Sequence, residues 1–160
     1  MLSTYTKARL HLLFGLALLC GPAQADDYRD LKQVKTVYIL GMVNGLDQFL
    51  ANRLTNSGAI WVVLDPVNAD AILTDRLDED FWKWLTNRYP RNSANSTAGQ
   101  KQNDLRLAAQ RVSPGTIFLV DPRTRLVLWS AFESVRRPSG PTLDQAAGRY
   151  TKRLQNAINK

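Results

Sequence analysis

Acidic side chains recur every five residues in the first half of the chain, at Asp65, Asp70 and Asp75. Carboxylates can serve as acid and base in catalysis, or bind a hard cation such as Ca²⁺. Their spacing differs from that of a calcium loop, and Asp65 precedes a proline, as turn residues often do. We therefore expect turn and loop roles for all three. A small hydrolase that uses a carboxylate pair is the enzymatic alternative.

The chain has one histidine, His11, and one cysteine, Cys20, and both lie near its start. A short basic stretch, an apolar run and a small-residue site precede Asp26 there, an order typical of a secretory signal peptide. We expect residues 1–25 to be that peptide, with cleavage between Ala25 and Asp26. Residues 26–160 would then have no disulfide, no Cys/His zinc site and no Ser-His-Asp triad.

Export and the lack of cysteine favour a bacterial protein, periplasmic or secreted, over a disulfide-rich eukaryotic module. The first apolar run is too short to span a membrane, and no later run approaches that length. A retained N-terminal anchor and a lipid at Cys20 are the alternatives to cleavage. Lipid attachment is not expected, because Leu19 stands where bacterial lipoprotein signals place a small residue.

Basic residues are concentrated in the second half of the chain. Residues 26–103 contain 9 basic and 10 acidic side chains, whereas residues 104–160 contain 10 basic and 4 acidic ones. Such asymmetry favours an acidic partner, which in the periplasm means lipid phosphate, lipopolysaccharide, peptidoglycan carboxylate or an acidic protein. Nucleic acid is not expected there. A solvated basic face that only aids solubility is the simpler alternative.

Four arginines of this basic half are candidates for binding an anionic group. Arg123 and Arg125 lie at the tip of a predicted hairpin, and Arg136 and Arg137 lie in the loop that follows it. The planar guanidinium suits phosphate and carboxylate groups. The alternative is that these arginines are scattered surface charges.

Two tryptophans, Trp82 and Trp84, form the strongest interaction candidate. They lie in a predicted helix, where residues two apart point about 200° away from each other. Both therefore cannot face the core, and we expect one to be exposed or at an interface. The alternative is that it packs beneath the polar segment 91–103.

The first predicted strand-to-helix turn contains Gly41 and Gly45, where nucleotide folds bind phosphate. It has neither a G-x-G-x-x-G nor a G-K-[S/T] pattern, so we expect a tight turn. No cofactor and no metal is expected.

Alternation and apolar runs predict five strands, and helical periodicity predicts three helices and allows a short fourth one at 105–112. The strands are 36–40, 60–64, 69–74, 116–120 and 126–132. The helices are 45–57, 77–89, 105–112 and 142–158, with a flexible polar insertion at 91–103.

Helix ends are predicted from capping residues. Asn44 and Gly58 bound the first helix, and Asp78 caps the second. Thr142 caps the last helix and forms a capping box with Gln145.

This order of elements favours a single α/β domain over residues 26–160. The expected architecture is a two-layer sandwich, in which one mixed sheet of about five strands has helices mainly on one face. The first strand, helix and strand suggest a βαβ-like unit, although antiparallel pairing of the next strand is also open. Strands 116–120 and 126–132 form a hairpin.

The chain resembles small bacterial envelope domains in three stretches. These are residues 35–39, residues 65–73, and residues 115–121 with the returning strand. The similar proteins are the amino-terminal domain of TolB and the outer-membrane activators of penicillin-binding proteins. The resemblance implies an adaptor or accessory role in the envelope without catalysis, and it transfers no functional residue.

The sequence thus predicts a non-enzymatic periplasmic accessory or adaptor domain that binds an envelope protein or component. A binder of anionic lipid or glycan through a basic C-terminal surface is the second hypothesis, and the small hydrolase is the third. The candidate interaction residues are Trp82, Trp84, Arg123, Arg125, Arg136 and Arg137.

Overall fold

The structure, a computed structural model, describes residues 30–90 and 115–160. The predicted signal peptide with its cleavage site at Ala25 and Asp26, the polar insertion 91–103 and the predicted helix 105–112 lie outside these residues. The described elements are β1 (Thr36–Ile39), α1 (Leu46–Ser57), β2 (Trp61–Val62), β3 (Ala71–Thr74), α2 (Glu79–Arg88), β4 (Thr116–Val120), β5 (Val127–Phe132) and α3 (Gly140–Ile158).

The five strands form one mixed sheet in the order β2-β1-β3-β4-β5. β1 pairs in parallel with β2 and with β3, while β4 pairs antiparallel with β3 and with β5. At the centre, Tyr38 is in register with Ile72, which is in register with Val120. The predicted mixed sheet, the βαβ unit and the hairpin are confirmed, and the strand after the βαβ unit pairs in parallel with β1.

Two helices, α1 and α3, pack side by side on one face of the sheet. Leu46, Leu50 and Leu54 recur every four residues, so they form one stripe along α1 and all three are buried. The matching stripe of α3 includes Tyr150 and Leu154. Together with inward side chains of β1, β3 and β4, these stripes form the larger core.

The shorter helix α2 lies on the opposite face. Phe81, Trp82 and Leu85 of α2 pack with Ile72 and Val120 of the sheet in a second apolar cluster. Since two of the three described helices share the other face, the predicted two-layer sandwich with helices mainly on one face is confirmed.

Two helix starts differ from the predictions. Asn44 has a φ of +60° and makes no side-chain cap bond, and Gly45, with a φ of +75°, precedes α1 instead. α3 begins at Gly140 with Ser139 as its N-cap, and the Ser139 N–H donates to Thr142 Oγ1 (2.8 Å). The predicted Thr142 cap is thus wrong by one turn, because the first turn of a helix tolerates Pro141.

Two other predicted helix boundaries are confirmed. The Asp78 carboxylate accepts the Phe81 N–H (2.9 Å) at the start of α2. Gly58 ends α1 with a φ of +66°, a conformation that a residue without Cβ adopts readily.

Candidate functional site

The three regularly spaced carboxylates hold loops, as predicted. Each accepts hydrogen bonds from backbone N–H groups, which fixes the chain around it. Asp65 accepts from Val67 (3.0 Å), Asp70 from Lys35 and Thr36 (2.9 and 3.0 Å), and Asp75 from Val43 (2.8 Å). Within 30–90 and 115–160, no group of three or more His, Cys, Asp or Glu side chains could hold a metal ion.

Trp82 and Trp84 both contribute to the apolar cluster under α2, contrary to the prediction that they cannot both face the core. That the half-buried Trp84 lies at an interface stays a prediction. Trp82 is only 1% exposed and meets Phe81 edge to face, with ring centroids 5.0 Å apart. Trp84 is half-buried and stacks on Tyr38 of β1 at 6.0 Å. The prediction fails because α2 contacts the sheet over a broad arc rather than along a narrow stripe. Packing beneath segment 91–103 lies outside the described residues.

The four candidate arginines do not converge. Arg123 and Arg125 lie in the turn between β4 and β5, whereas Arg136 and Arg137 follow the far end of β5. The six residues of β5 separate the pairs by about 20 Å, at roughly 3.3 Å per residue. Arg125 has a φ of +62° and its N–H donates to the Asp121 carbonyl (2.8 Å), so it shapes the hairpin turn.

Arg136 and Arg137 instead meet a third arginine across an open cleft of about 640 Å³. The loop after β5 forms one wall, and the first three turns of α3 form the other. We call this cleft the arginine cleft. The polar residues that line it are Ser134, Arg136, Arg137, Thr142, Gln145 and Arg149.

Glu133 positions one side of the arginine cleft. It is only 8% exposed, and its carboxylate forms ion pairs with Arg149 Nε (2.7 Å) and Arg153 Nη2 (2.8 Å). Its own N–H donates to the Gly115 carbonyl (3.0 Å), which also accepts the Tyr150 hydroxyl. A buried carboxylate thus holds two guanidinium groups at the start of the loop.

The guanidinium groups of Arg136 and Arg137 bind no other described residue. The loop that carries them is nevertheless anchored, since Thr142 Oγ1 donates to the Arg137 carbonyl (2.8 Å). Among the described residues, Arg136, Arg137, Arg149 and Arg153 against Glu133 leave a local surplus of three positive charges. The arginine cleft is therefore a positively charged surface with two guanidinium groups that have no partner in the part of the chain that the structure describes.

A second candidate surface lies at the β2 edge of the sheet. Three large apolar side chains within seven residues are exposed to solvent here. The exposed fractions are 73% for Trp61, 93% for Leu64 and 59% for Val67. We call these three residues the β2 edge surface. β2 pairs only with β1, so it ends the described sheet on this side.

The backbone of β2 also faces outward at this edge. The N–H groups of Trp61 and Val63 donate to β1, each over 2.9 Å. Because backbone groups alternate in direction along a strand, the intervening Val62 directs its own N–H and C=O away from β1. The β2 edge surface thus combines exposed apolar side chains with an open strand edge.

Sequence reasoning missed this surface, because the apolar run 60–64 is typical of a buried strand. Its position at the edge depends on strand order, which local pattern does not reveal. One signal in the sequence could have indicated this surface. Leu64 lies directly before the Asp65-Pro66 turn, and residues next to a turn are often exposed.

In the part of the chain that the structure describes, no helix is long and apolar enough to cross a bilayer. Comparison of the chain with known protein families, curated proteins and solved structures found no match. Its function is therefore inferred from its own residues.

Proposed function

We propose that this protein is a non-enzymatic adaptor domain of the bacterial periplasm, and that it binds another envelope protein through the β2 edge surface. The observation that carries the proposal is the exposure of Trp61 and Leu64 beside the open edge of β2. The periplasmic location rests on the signal peptide expected at residues 1–25.

The exposed side chains favour association on energetic grounds. Removing apolar surface from water contributes about 25 cal/mol per Å², or about 1.5–3 kcal/mol for a large side chain that becomes fully buried. Tryptophan is also enriched among residues that dominate binding energy at interfaces. Trp61 and Leu64 together can thus supply several kcal/mol to a complex.

The open strand edge favours a protein over a lipid or glycan as the partner. Proteins usually protect edge strands with charges, prolines or covering loops, since an open edge pairs with other chains. The edge at Val62 is flanked by apolar rather than charged side chains. An extended protein segment can satisfy the Val62 backbone and cover Trp61 at once.

The binding role is also supported over the carboxylate-based hydrolase by what the acidic residues do. Glycoside hydrolysis needs two carboxyl groups that flank a bound substrate. Asp65, Asp70 and Asp75 instead hold backbone N–H groups, and Glu133 is engaged by two arginines.

Site-specific crosslinking in intact cells tests the proposal. A photoreactive amino acid at position 64 should give one discrete crosslinked envelope protein, because Leu64 lies at the centre of the proposed contact. The same amino acid at position 152, on the exposed side of α3, is the matched control and should not give that product.

The crosslink should fall at least about tenfold when Trp61→Ala is added, since loss of a buried tryptophan at an interface costs roughly 2 kcal/mol or more. Equal products from positions 64 and 152 would contradict the proposal. So would a crosslink only to a second copy of this chain, which would make the surface a homodimer contact.

A further inference from the structure

We propose that the arginine cleft is a binding site for a phosphate group, contacted by the guanidinium groups of Arg136 and Arg137. This inference rests on residues other than those of the β2 edge surface and is independent of the adaptor proposal. It also corrects the predicted site, because Arg123 and Arg125 are excluded and Arg149 is added.

The unpaired state of two neighbouring arginines is the first argument. The other arginines of this region are engaged. Arg149, which lines the cleft, and Arg153, which lies one turn further along α3, both pair with Glu133, and Arg153 Nη1 also donates to the Phe132 carbonyl (3.0 Å). Arg136 and Arg137 have no such partner among the described residues. Each guanidinium presents donors in a planar fork that matches the oxygens of phosphate.

The charge balance of the cleft is the second argument. Arg149 and Arg153 share one carboxylate, so their positive charge is only half compensated. Arg136 and Arg137 add two further positive charges to the cleft that Arg149 lines, and no acidic side chain lies among the described residues that line it. A dianionic group relieves this repulsion more than a single carboxylate does.

The shape of the cleft is the third argument. Its volume of about 640 Å³ falls within the range of small-molecule sites, roughly 300–1,000 Å³, so it has room for a phosphate together with part of the molecule that carries it. Ser134 and Gln145 add a hydroxyl and an amide to the lining. These neutral groups can bind the attached part.

The donors come from side chains rather than from the helix end. Ser139 and Thr142 bond to each other at the start of α3, and Thr142 also bonds to the loop backbone. These contacts keep the loop close to α3. The backbone that carries Arg136 and Arg137 is thus held beside α3, on which Arg149 lies.

Titration with inorganic phosphate tests this site directly. The full mature protein, labelled with ¹⁵N, is titrated while the arginine Nε–H signals are recorded by NMR. We expect saturable shifts of the Arg136 and Arg137 signals, and an affinity that falls as ionic strength rises. The double variant Arg136→Gln/Arg137→Gln should lose at least about tenfold in affinity, since it removes the charged hydrogen bonds of both guanidinium groups to phosphate.

The matched control is Arg88→Gln/Arg123→Gln, which removes the same charge from two exposed arginines far from the cleft. It should bind phosphate within about twofold of the unaltered protein. Equal loss in both double variants would show a general charge effect and overturn the proposal, as would the absence of saturable shifts in the unaltered protein.

Vesicles then distinguish the source of the phosphate. Binding to phosphatidic acid vesicles but not to phosphatidylcholine vesicles, with loss in Arg136→Gln/Arg137→Gln alone, assigns the site to lipid phosphate at a membrane surface. Binding of inorganic phosphate without vesicle binding assigns it to a soluble phosphorylated compound. Because the β2 edge surface is unaltered in these variants, the crosslink at position 64 should persist whichever result is obtained.

Discussion

At the scale of single residues, Gly115 packs directly against the backbone of Glu133, the residue that holds one side of the arginine cleft. Its φ is +98°, and a Cβ added there would lie 2.2 Å from the Glu133 carbonyl oxygen. The clash is with backbone, so β4 or the start of the loop after β5 must move. We expect Gly115→Ala to lower the free energy of unfolding by about 2–4 kcal/mol, measured by urea denaturation.

Gly58→Ala is the control for that measurement. Gly58 also has a positive φ, +66°, but nothing lies within 4 Å of its added Cβ. Its cost is therefore only that of the left-handed conformation, about 1–2 kcal/mol. Equal losses in the two variants would show that the contact with Glu133 adds nothing.

The tryptophans differ in role although all are large and aromatic. Trp82→Ala should lower the free energy of unfolding by about 3–5 kcal/mol, because it empties a buried position. Trp61→Ala should change it by no more than about 0.5 kcal/mol, since 73% of that residue is exposed. Chemical denaturation of both variants measures the difference, and a large loss for Trp61→Ala would indicate a packing role.

At the scale of elements, α1 and α3 are joined by a polar contact at the protein surface. The Arg53 guanidinium donates to both carboxylate oxygens of Asp144, with Nε at 2.8 Å from Oδ1. This hydrogen bond, with the positive charge of Arg53, holds the pKa of Asp144 below its ordinary value. The stability that this contact contributes to the packing of α1 against α3 therefore depends on pH.

The sign of that dependence follows from the lowered pKa. A carboxylate whose pKa is lower in the folded state stabilises the fold above the ordinary aspartate pKa of about 3.9, and the contribution is lost as the pH falls through the folded value. Arg53→Gln should raise the Asp144 pKa toward the ordinary value, as NMR titration of the side-chain carboxyl would show. Lys83→Gln, which breaks a distant surface pair on α2, should leave that titration unchanged.

At the scale of the whole molecule, strand order separates the two candidate binding surfaces. β2 and β5 are the opposite edges of a five-stranded sheet, about 19 Å apart at roughly 4.8 Å per strand spacing. The β2 edge surface and the arginine cleft share no residue, so substitutions in them should act additively. A combined Trp61→Ala, Arg136→Gln and Arg137→Gln variant should show each binding defect at its single-surface magnitude.

Much of the local structure could be predicted from sequence, because short-range interactions specify it. The Leu46, Leu50 and Leu54 stripe follows from helical periodicity, and the Asp78 cap and the Gly58 stop follow from the needs of helix ends. The wrong prediction of Thr142 as the N-cap of α3 also has a local cause. Both Ser139 and Thr142 are residue types that suit an N-cap, and in the structure Ser139 is the cap while Thr142 accepts its N–H.

The candidate sites were predicted only in part. Arg136 and Arg137 were recognised from their type and loop position, but their partner across the cleft is Arg149, thirteen and twelve residues later, rather than the hairpin arginines. The spacing of Arg123 and Arg137 in the sequence does not reveal that they lie at opposite ends of β5. Loops come together only once the strands between them have a direction.

By itself, the sequence determined the kinds of elements, the hairpin and the concentration of positive charge near the C-terminal end. Tertiary structure alone decided that Trp61 is exposed while Trp82 is buried, although Trp61 lies in the more apolar stretch of sequence. The physical reason is that burial depends on what covers a side chain. β2 has a neighbour on one side only, whereas α2 packs against the middle of the sheet.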